Sequence, residues 1–285
     1  MAKIRIMADS TCDINDELIK SFEIEVLPLY VNIGDRSYTD KVDILGPRIF
    51  ELVEEYNVLP TTSCPSINDF QKAFEEAVNA GDEVIFVSIS SHLSATYQNA
   101  MFVVKENGWQ DKVFPIDTLQ LSTGSGVVAI KARELVREGM AAKDIAKELI
   151  KYSARISFSI MVDTMEYLYR GGRCTVMQRL AGAMLSVRPQ IEIIEGKFKV
   201  TGKHIGSKKR CVKAYYDTRM KPMLDKMNPK KIFVSSAWAE DDALFLASLF
   251  KKDNITEKIE ISSAGAVVCC HCGPGVVGVA YELKE

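Results

Sequence analysis

The chain has 285 residues, enough for one large or two medium cores, and its 47% hydrophobic and 26% charged residues are those of an ordinary globular protein. A balance of 36 basic against 38 acidic side chains leaves a net charge of −2, so no bulk field attracts a polyanion and nucleic acid is excluded as the main partner. No run of about 18 apolar residues occurs, and Asp9 and Asp13 interrupt the start, so no transmembrane or signal segment is expected; the location predicted is cytoplasmic, with at most transient contact with a membrane surface.

From the amino end, β-branched runs alternate with amphipathic ones. Strands are predicted over 3–9, 25–31, 83–89 and 112–117, and helices over 15–22, 47–56, 67–80, 93–106 and 124–137. Strand, helix, strand at this spacing predicts a parallel sheet covered on both faces. From residue 156 the texture changes. Strand patterns at 155–162 and 189–206 come in succession, the second reading as a hairpin that turns at Glu195-Gly196. Helices over 208–227 and 240–250 follow, separated by a strand over 230–238, and strands over 258–263 and 276–283 close the chain. The fold class is α/β: an N-terminal parallel-sheet α/β/α domain, 1–155, and a C-terminal mixed-sheet α/β domain, 156–285. No Pro/Gly/Ser linker marks the boundary, which predicts a substantial interface between them.

Several short motifs suggest chemistry that their context denies. Gly273-Pro274-Gly275-Val276-Val277-Gly278 spells a dinucleotide fingerprint, but the βαβ unit it needs has no room before Glu285, so a tight turn is expected instead. Gly124-Ser125-Gly126 opens a helix, yet Asp117 ends the preceding strand too early for a phosphate turn. Cys269, Cys270, His271 and Cys272 are consecutive, whereas zinc ligands come as spaced pairs; buried thiols on a strand are expected, with no metal and no cofactor. The seven cysteines show no even, regular framework and are expected to be reduced. The common hydrolase elbow, phosphate loop and zinc helix motifs are missing.

What remains is hydroxyl-rich. Asp9-Ser10-Thr11-Cys12-Asp13, Thr61-Thr62-Ser63-Cys64-Pro65-Ser66 and Ser90-Ser91-His92-Leu93-Ser94-Ala95-Thr96-Tyr97 each follow an apolar run or precede a helix. Such positions gather at the carboxyl edge of a parallel sheet, beside helix N-termini that favour anions. Helix capping, at about 1 kcal/mol each, explains every stretch taken singly. Together with Gly171-Gly172-Arg173 and His271-Cys272-Gly273-Pro274-Gly275, in this order, they resemble the DegV family of fatty-acid-binding proteins over nearly the whole chain. Three positions depart from the family pattern: Ala95 stands where Gly is usual, Cys174 where an aliphatic residue is common, and Arg188 where Lys is typical, a change that alters geometry while keeping charge.

The resemblance implies a DegV-like two-domain fold and a carrier that holds one long-chain fatty acid, such as palmitate, in a buried tunnel. It implies Thr62, Ser94 and His271 as ligands of the carboxylate, with Ser63, Gly273 and Gly275 in support and Arg173 at the rim where a partner docks. That partner would be an ATP-dependent fatty acid kinase making an acyl phosphate for phospholipid metabolism, so the chain itself is not expected to be an enzyme. The physics agrees: about fourteen methylenes at roughly 0.8 kcal/mol each give a gross gain of about 11 kcal/mol, so the tail supplies affinity and the head needs only enough donors to avoid an unpaired carboxylate. The alternative is an acyl hydrolase with Ser94 as nucleophile and His271 as base, for which no orienting Asp can be nominated.

Overall fold

The structure, a computed structural model, describes residues 3–174, 187–256 and 258–284. The first half runs β1 (Ile4–Asp9), α1 (Asp16–Ser21), β2 (Ile24–Leu27), β3 (Tyr30–Ile33), β4 (Arg36–Thr39), α2 (Arg48–Tyr56), β5 (Thr61–Ser63), α3 (Ile67–Asn79), β6 (Glu83–Ser88), α4 (Thr96–Glu106), β7 (Val113–Asp117), α5 (Thr123–Arg137) and α6 (Ala142–Ser153). The second half runs β8 (Ile156–Met161), α7 (Glu166–Arg170), β9 (Val187–Ile194), β10 (Lys197–Ile205), α8 (Lys208–Tyr215), β11 (Met227–Ala237), α9 (Glu240–Lys252), β12 (Glu260–Ser263), α10 (Ala266–Cys272) and β13 (Val276–Leu283).

Three sheets result. A four-stranded sheet of order β2-β1-β6-β7 is parallel throughout, and a six-stranded sheet of order β10-β9-β8-β13-β11-β12 is mixed, only β11 and β12 pairing in parallel. The fold class predicted from the sequence is thus observed. A third, antiparallel sheet of order β4-β3-β5 was not expected. Its origin is local: the run 25–31, read as one strand, breaks at Pro28, whose missing N–H cannot serve a ladder, and the chain leaves the parallel sheet to start β3.

Helix α5 binds the two large sheets together, packing on β1 and β6 of one and on β8, β11 and β13 of the other. Small residues permit this. A Cβ on Gly126 would lie 2.5 Å from Ile14 Cγ2, and one on Gly124 would lie 3.3 Å from Phe158 Cβ. The glycines of the discarded phosphate motif therefore serve close helix packing. One continuous apolar cluster includes Ile6, Ile85, Val127, Ile130, Phe158, Ile191 and Phe233, residues of both halves.

Two predicted elements need correction. Cys269–Cys272 lie on α10, a helix, and not on a strand; the segment is apolar and buried on nearly every side, so its pattern carries no period that separates helix from strand. The helix predicted over 208–227 is α-helical only to Tyr215, continues as a π turn over Tyr216–Met220 and tightens to a 3-10 turn over Lys221–Lys226, where Pro222 removes a backbone donor. Helices α6 and α7 were not anticipated. Among the described residues no helix is long and apolar enough to cross a membrane, and no group of three or more His, Cys, Asp or Glu side chains could hold a metal.

Candidate functional site: an apolar cavity with a polar mouth

A cavity of about 250 Å3 lies between the sheets, close to the lower end of the volumes of about 300 Å3 and above found for small-ligand sites. Its walls are mainly apolar, including Ile89 and Leu121 on one side and Phe158, Ile160 and Phe198 on the other. Five polar residues mark where the wall reaches solvent, Thr62, Ser94, His271 and Arg173 part-exposed and Ser63 exposed, whereas Phe158 and the lining hydroxyl residues Thr11, Ser122, Ser235 and Ser236 are buried.

Thr62 is delivered by β5, the last strand of the small antiparallel sheet, and His271 by the final turn of α10. Thr62 Oγ1 and His271 Nε2 are 2.8 Å apart. The buried Nδ1 of His271 has no hydrogen-bond partner. A proton there would be a stranded donor, so the proton belongs on Nε2, which donates to Thr62 Oγ1 and leaves the Thr62 hydroxyl hydrogen to be donated elsewhere. Burial, with the nearby Arg173 charge second, holds the imidazole down at about 4, so it is neutral at pH 7. The ring needs Gly171 beside it: a Cβ at that position would lie 2.4 Å from Nδ1. The Gly-Gly-Arg and His-x-Gly-Pro-Gly motifs are thus in contact.

Ser94 lies before α4, which starts at Thr96 and not at Leu93, and its hydroxyl is 2.8 Å from Thr96 Oγ1. It is not the helix cap, a place taken by Ala95 without a side-chain bond. Ser66, by contrast, forms a capping box with Asp69, so one motif contains both a helix cap and residues that border the cavity. Ser94 bonds Thr96 while His271 bonds Thr62, so the nucleophile–base pair required by the hydrolase alternative is not made. Arg173 donates through Nε to Leu93 O at 3.2 Å and through Nη1 to Gly171 O at 2.7 Å, pairs with no carboxylate among the described residues, and has its proton affinity lowered by burial. It borders the same cavity as the other three.

The supporting residues divide. Ser63 borders the cavity and accepts from Asn32 Nδ2 at 3.4 Å. Gly273 and Gly275 do not border it; both have positive φ, and a Cβ would strike the Tyr167 ring at 2.6 Å or the Asp163 carboxylate at 2.3 Å. They make the turn that takes the chain from α10 into β13. Arg188 is occupied at 2.7 Å from Asp163 and at 2.9 Å from Gly206 O.

Below the mouth lies a polar hub that the sequence did not reveal. Asp9 accepts from Thr11 Oγ1 at 2.5 Å and Ile89 N at 2.6 Å; Asp13 accepts from Ser122 Oγ at 2.7 Å and Gly265 N at 2.8 Å; Asp40 accepts from Ser10 Oγ at 2.7 Å and Ala266 N at 2.8 Å. Lys41 Nζ is 3.5 Å from Asp13. Burial pushes Asp13 up to about 6 against the pull of Lys41. Asp40 and Asp13 receive the first N–H groups of α10 and its cap, and so fix the helix that carries His271. All seven cysteines are free; burial pushes the Cys12 thiol up to about 12, and the Cys272 hydrogen bond followed by burial raises Cys269 well above the usual thiol range.

A family model described as "Uncharacterised protein, DegV family" matches residues 3–284. A DegV domain-containing protein of Clostridium perfringens is 31% identical over 99% of both chains. Among solved structures, a fatty-acid-binding DegV family protein of Thermus thermophilus superimposes with a TM-score of 0.87 at 29% identity, over 99% of this chain and 100% of that one. DegV of Bacillus subtilis, described as a fatty acid binding protein, gives a TM-score of 0.84 at 28% identity over the full length of both.

Proposed function

The chain belongs to the DegV family, and from that premise we propose that it binds one long-chain fatty acid in this cavity, with the carboxylate at Thr62, Ser94 and His271, the imidazole acting by turning the Thr62 hydroxyl hydrogen toward it. The observation that carries the reading is the arrangement of the cavity itself: apolar walls, a buried far end, and unspent hydroxyl donors beside a neutral imidazole at the open end. An acyl chain fills the first, and a carboxylate takes the second. The names of the Thermus thermophilus and Bacillus subtilis relatives support the ligand class.

A carboxylate held by neutral donors near solvent keeps its nucleophilic oxygen. We therefore read the protein as a cytoplasmic carrier that presents the head group to an ATP-dependent fatty acid kinase, which forms the acyl phosphate. Arg173, at the open end, is assigned to docking that partner. The two units divide near residue 155: the strands of the parallel sheet precede it and those of the mixed sheet follow it.

Mass spectrometry of small molecules extracted from the purified protein should find close to one fatty acid per chain. No lipid, with no uptake of added fatty acid, would sink the reading. Arg173→Ala should retain fatty acid while lowering phosphorylation by the kinase; loss of neither would remove Arg173 from the docking role.

A further inference from the structure

The polar groups around the cavity are not alike in what they bond. Thr11 donates to Asp9, Thr62 shares a bond with His271, Ser63 accepts from Asn32, Ser94 pairs with Thr96, and Ser122 donates to Asp13. Ser235 and Ser236 on β11 also border the cavity, and neither hydroxyl has a hydrogen-bond partner among the described residues although the residues are only 5% and 3% exposed; alternation along the strand puts the Ser236 side chain on the face of Val234, away from that of Ser235. The Ser235 oxygen is not among the enclosed unpaired polar atoms, so it stays reachable beside the cavity it borders, and an apolar chain laid over it would leave it unpaired at a cost.

The side chain points toward the ligand space. Along a strand successive side chains alternate, and Phe233 and Ala237, two residues either side of Ser235, belong to the apolar cluster between the sheets, whereas Val234 belongs to the cluster on the other face. The neighbouring strand leaves room for it. Gly278 is the register partner of both Ser235 and Ile160, and a Cβ there would lie 2.8 Å from Ser235 Oγ and 3.0 Å from Ile160 Cγ2. The Ser235 hydroxyl therefore packs over Gly278 and shares the buried wall with the apolar Phe158 and Ile160, on a strand of the mixed sheet, whereas Thr62 comes from β5 and Ser94 from the loop before α4.

Resting on the carrier reading, we propose that Ser235 is a second polar contact for the ligand, and that the cavity takes fatty acids bearing a hydroxyl on the chain, remote from the carboxylate. A plain methylene chain expels water from Ser235 and gives it nothing in return. A chain hydroxyl placed opposite it forms a hydrogen bond that satisfies both groups, while a hydroxyl elsewhere meets apolar wall or hydroxyls already bonded within the protein. Recognition is therefore positional.

Calorimetric titration of the delipidated full-length protein with stearic acid, and with hydroxystearic acids whose hydroxyl is walked along the chain, tests this. One isomer, or two adjacent ones, should bind at least as tightly as stearic acid, and Ser235→Ala should weaken that isomer about tenfold without weakening stearic acid. If every isomer binds more weakly than stearic acid by the same factor in the wild type and in Ser235→Ala, the inference is overturned. Failure of the wild type to bind stearic acid or any isomer would instead overturn the carrier reading and the inference with it, so the two failures are told apart.

Discussion

Two clusters of Ser, Thr and Asp lie within one molecule, one around Asp9, Asp13 and Asp40, the other around Thr62, Ser94 and His271, and their fates differ. In the first, each carboxylate is buried and takes two or more hydrogen bonds from the chain, and Lys41 offsets part of the charge. In the second, His271 Nε2 donates to Thr62 Oγ1 and leaves the Thr62 hydroxyl hydrogen without an acceptor among the described residues, while Arg173 bonds backbone carbonyls through Nε and Nη1 only. Residue type does not separate a structural hub from a ligand site. Satisfaction does: a hub closes on itself, and a site keeps donors for something absent from the chain.

The largest effect that would break this contrast is on stability. Asp13→Ala leaves Lys41, Ser122 Oγ and Gly265 N without their partner and should lower the unfolding free energy by about 3–5 kcal/mol, read by urea denaturation. Thr62→Ala should stay within about 1 kcal/mol of the wild type in the same experiment. Equal losses would erase the distinction.

Next in size is a pH effect that belongs to the mouth. The folded value of His271, about 4, lies below its ordinary 6.5, so the unfolded chain binds the proton more readily and stability falls as pH drops through that window. Asp13 runs the other way. Its folded value, about 6, lies above the ordinary 3.8, so its contribution is present at low pH and lost as pH rises. Comparing the wild type with His271→Gln from pH 6.5 to 4 cancels the Asp13 contribution and should show the wild type losing up to about 3 kcal/mol more. Matching slopes would mean that the imidazole is solvated and the mouth more open than its burial indicates.

The hub and the mouth were unequally legible in the sequence. The hairpin at Glu195-Gly196 was readable because both residues take positive φ, 53° and 75°, which a two-residue turn requires, and the final strand was readable from its β-branched run. Asp9 and Asp13 were visible as a motif, but Asp40 and Ser122 were not, because the hub forms only when β4, α5 and α10 converge. Thr62, Ser94 and His271 were singled out by family resemblance, since capping accounted equally well for Thr62 and Ser94; in the structure Thr62 bonds His271, and Ala95, not Ser94, is the cap of α4. The apolar wall of the cavity was hidden entirely, because Phe158, Phe198 and Leu121 are ordinary core residues until the sheets are placed.

Smaller effects concern binding at the mouth alone. Thr62→Ala and Ser94→Ala should each weaken fatty acid binding about tenfold, measured by displacement of a fluorescent fatty acid, with no loss of folded protein. Unchanged affinity in both would return these hydroxyls to local structure.

The smallest expected effect is that of Arg173→Lys, and it separates charge from geometry. The guanidinium donates to Leu93 O and Gly171 O together, so it ties the turn that accommodates the His271 ring to the loop that carries Ser94. A lysine keeps the positive charge near the head group but loses the planar fork that reaches both carbonyls. If Arg173 acts through its field, fatty acid affinity should be unchanged. If it acts by holding the two loops in register, affinity should fall about threefold, and hydrogen exchange of the amides of residues 93–96 should quicken. A drop in affinity without faster exchange would place the guanidinium in direct contact with the carboxylate, making the mouth a charged site and not a neutral one.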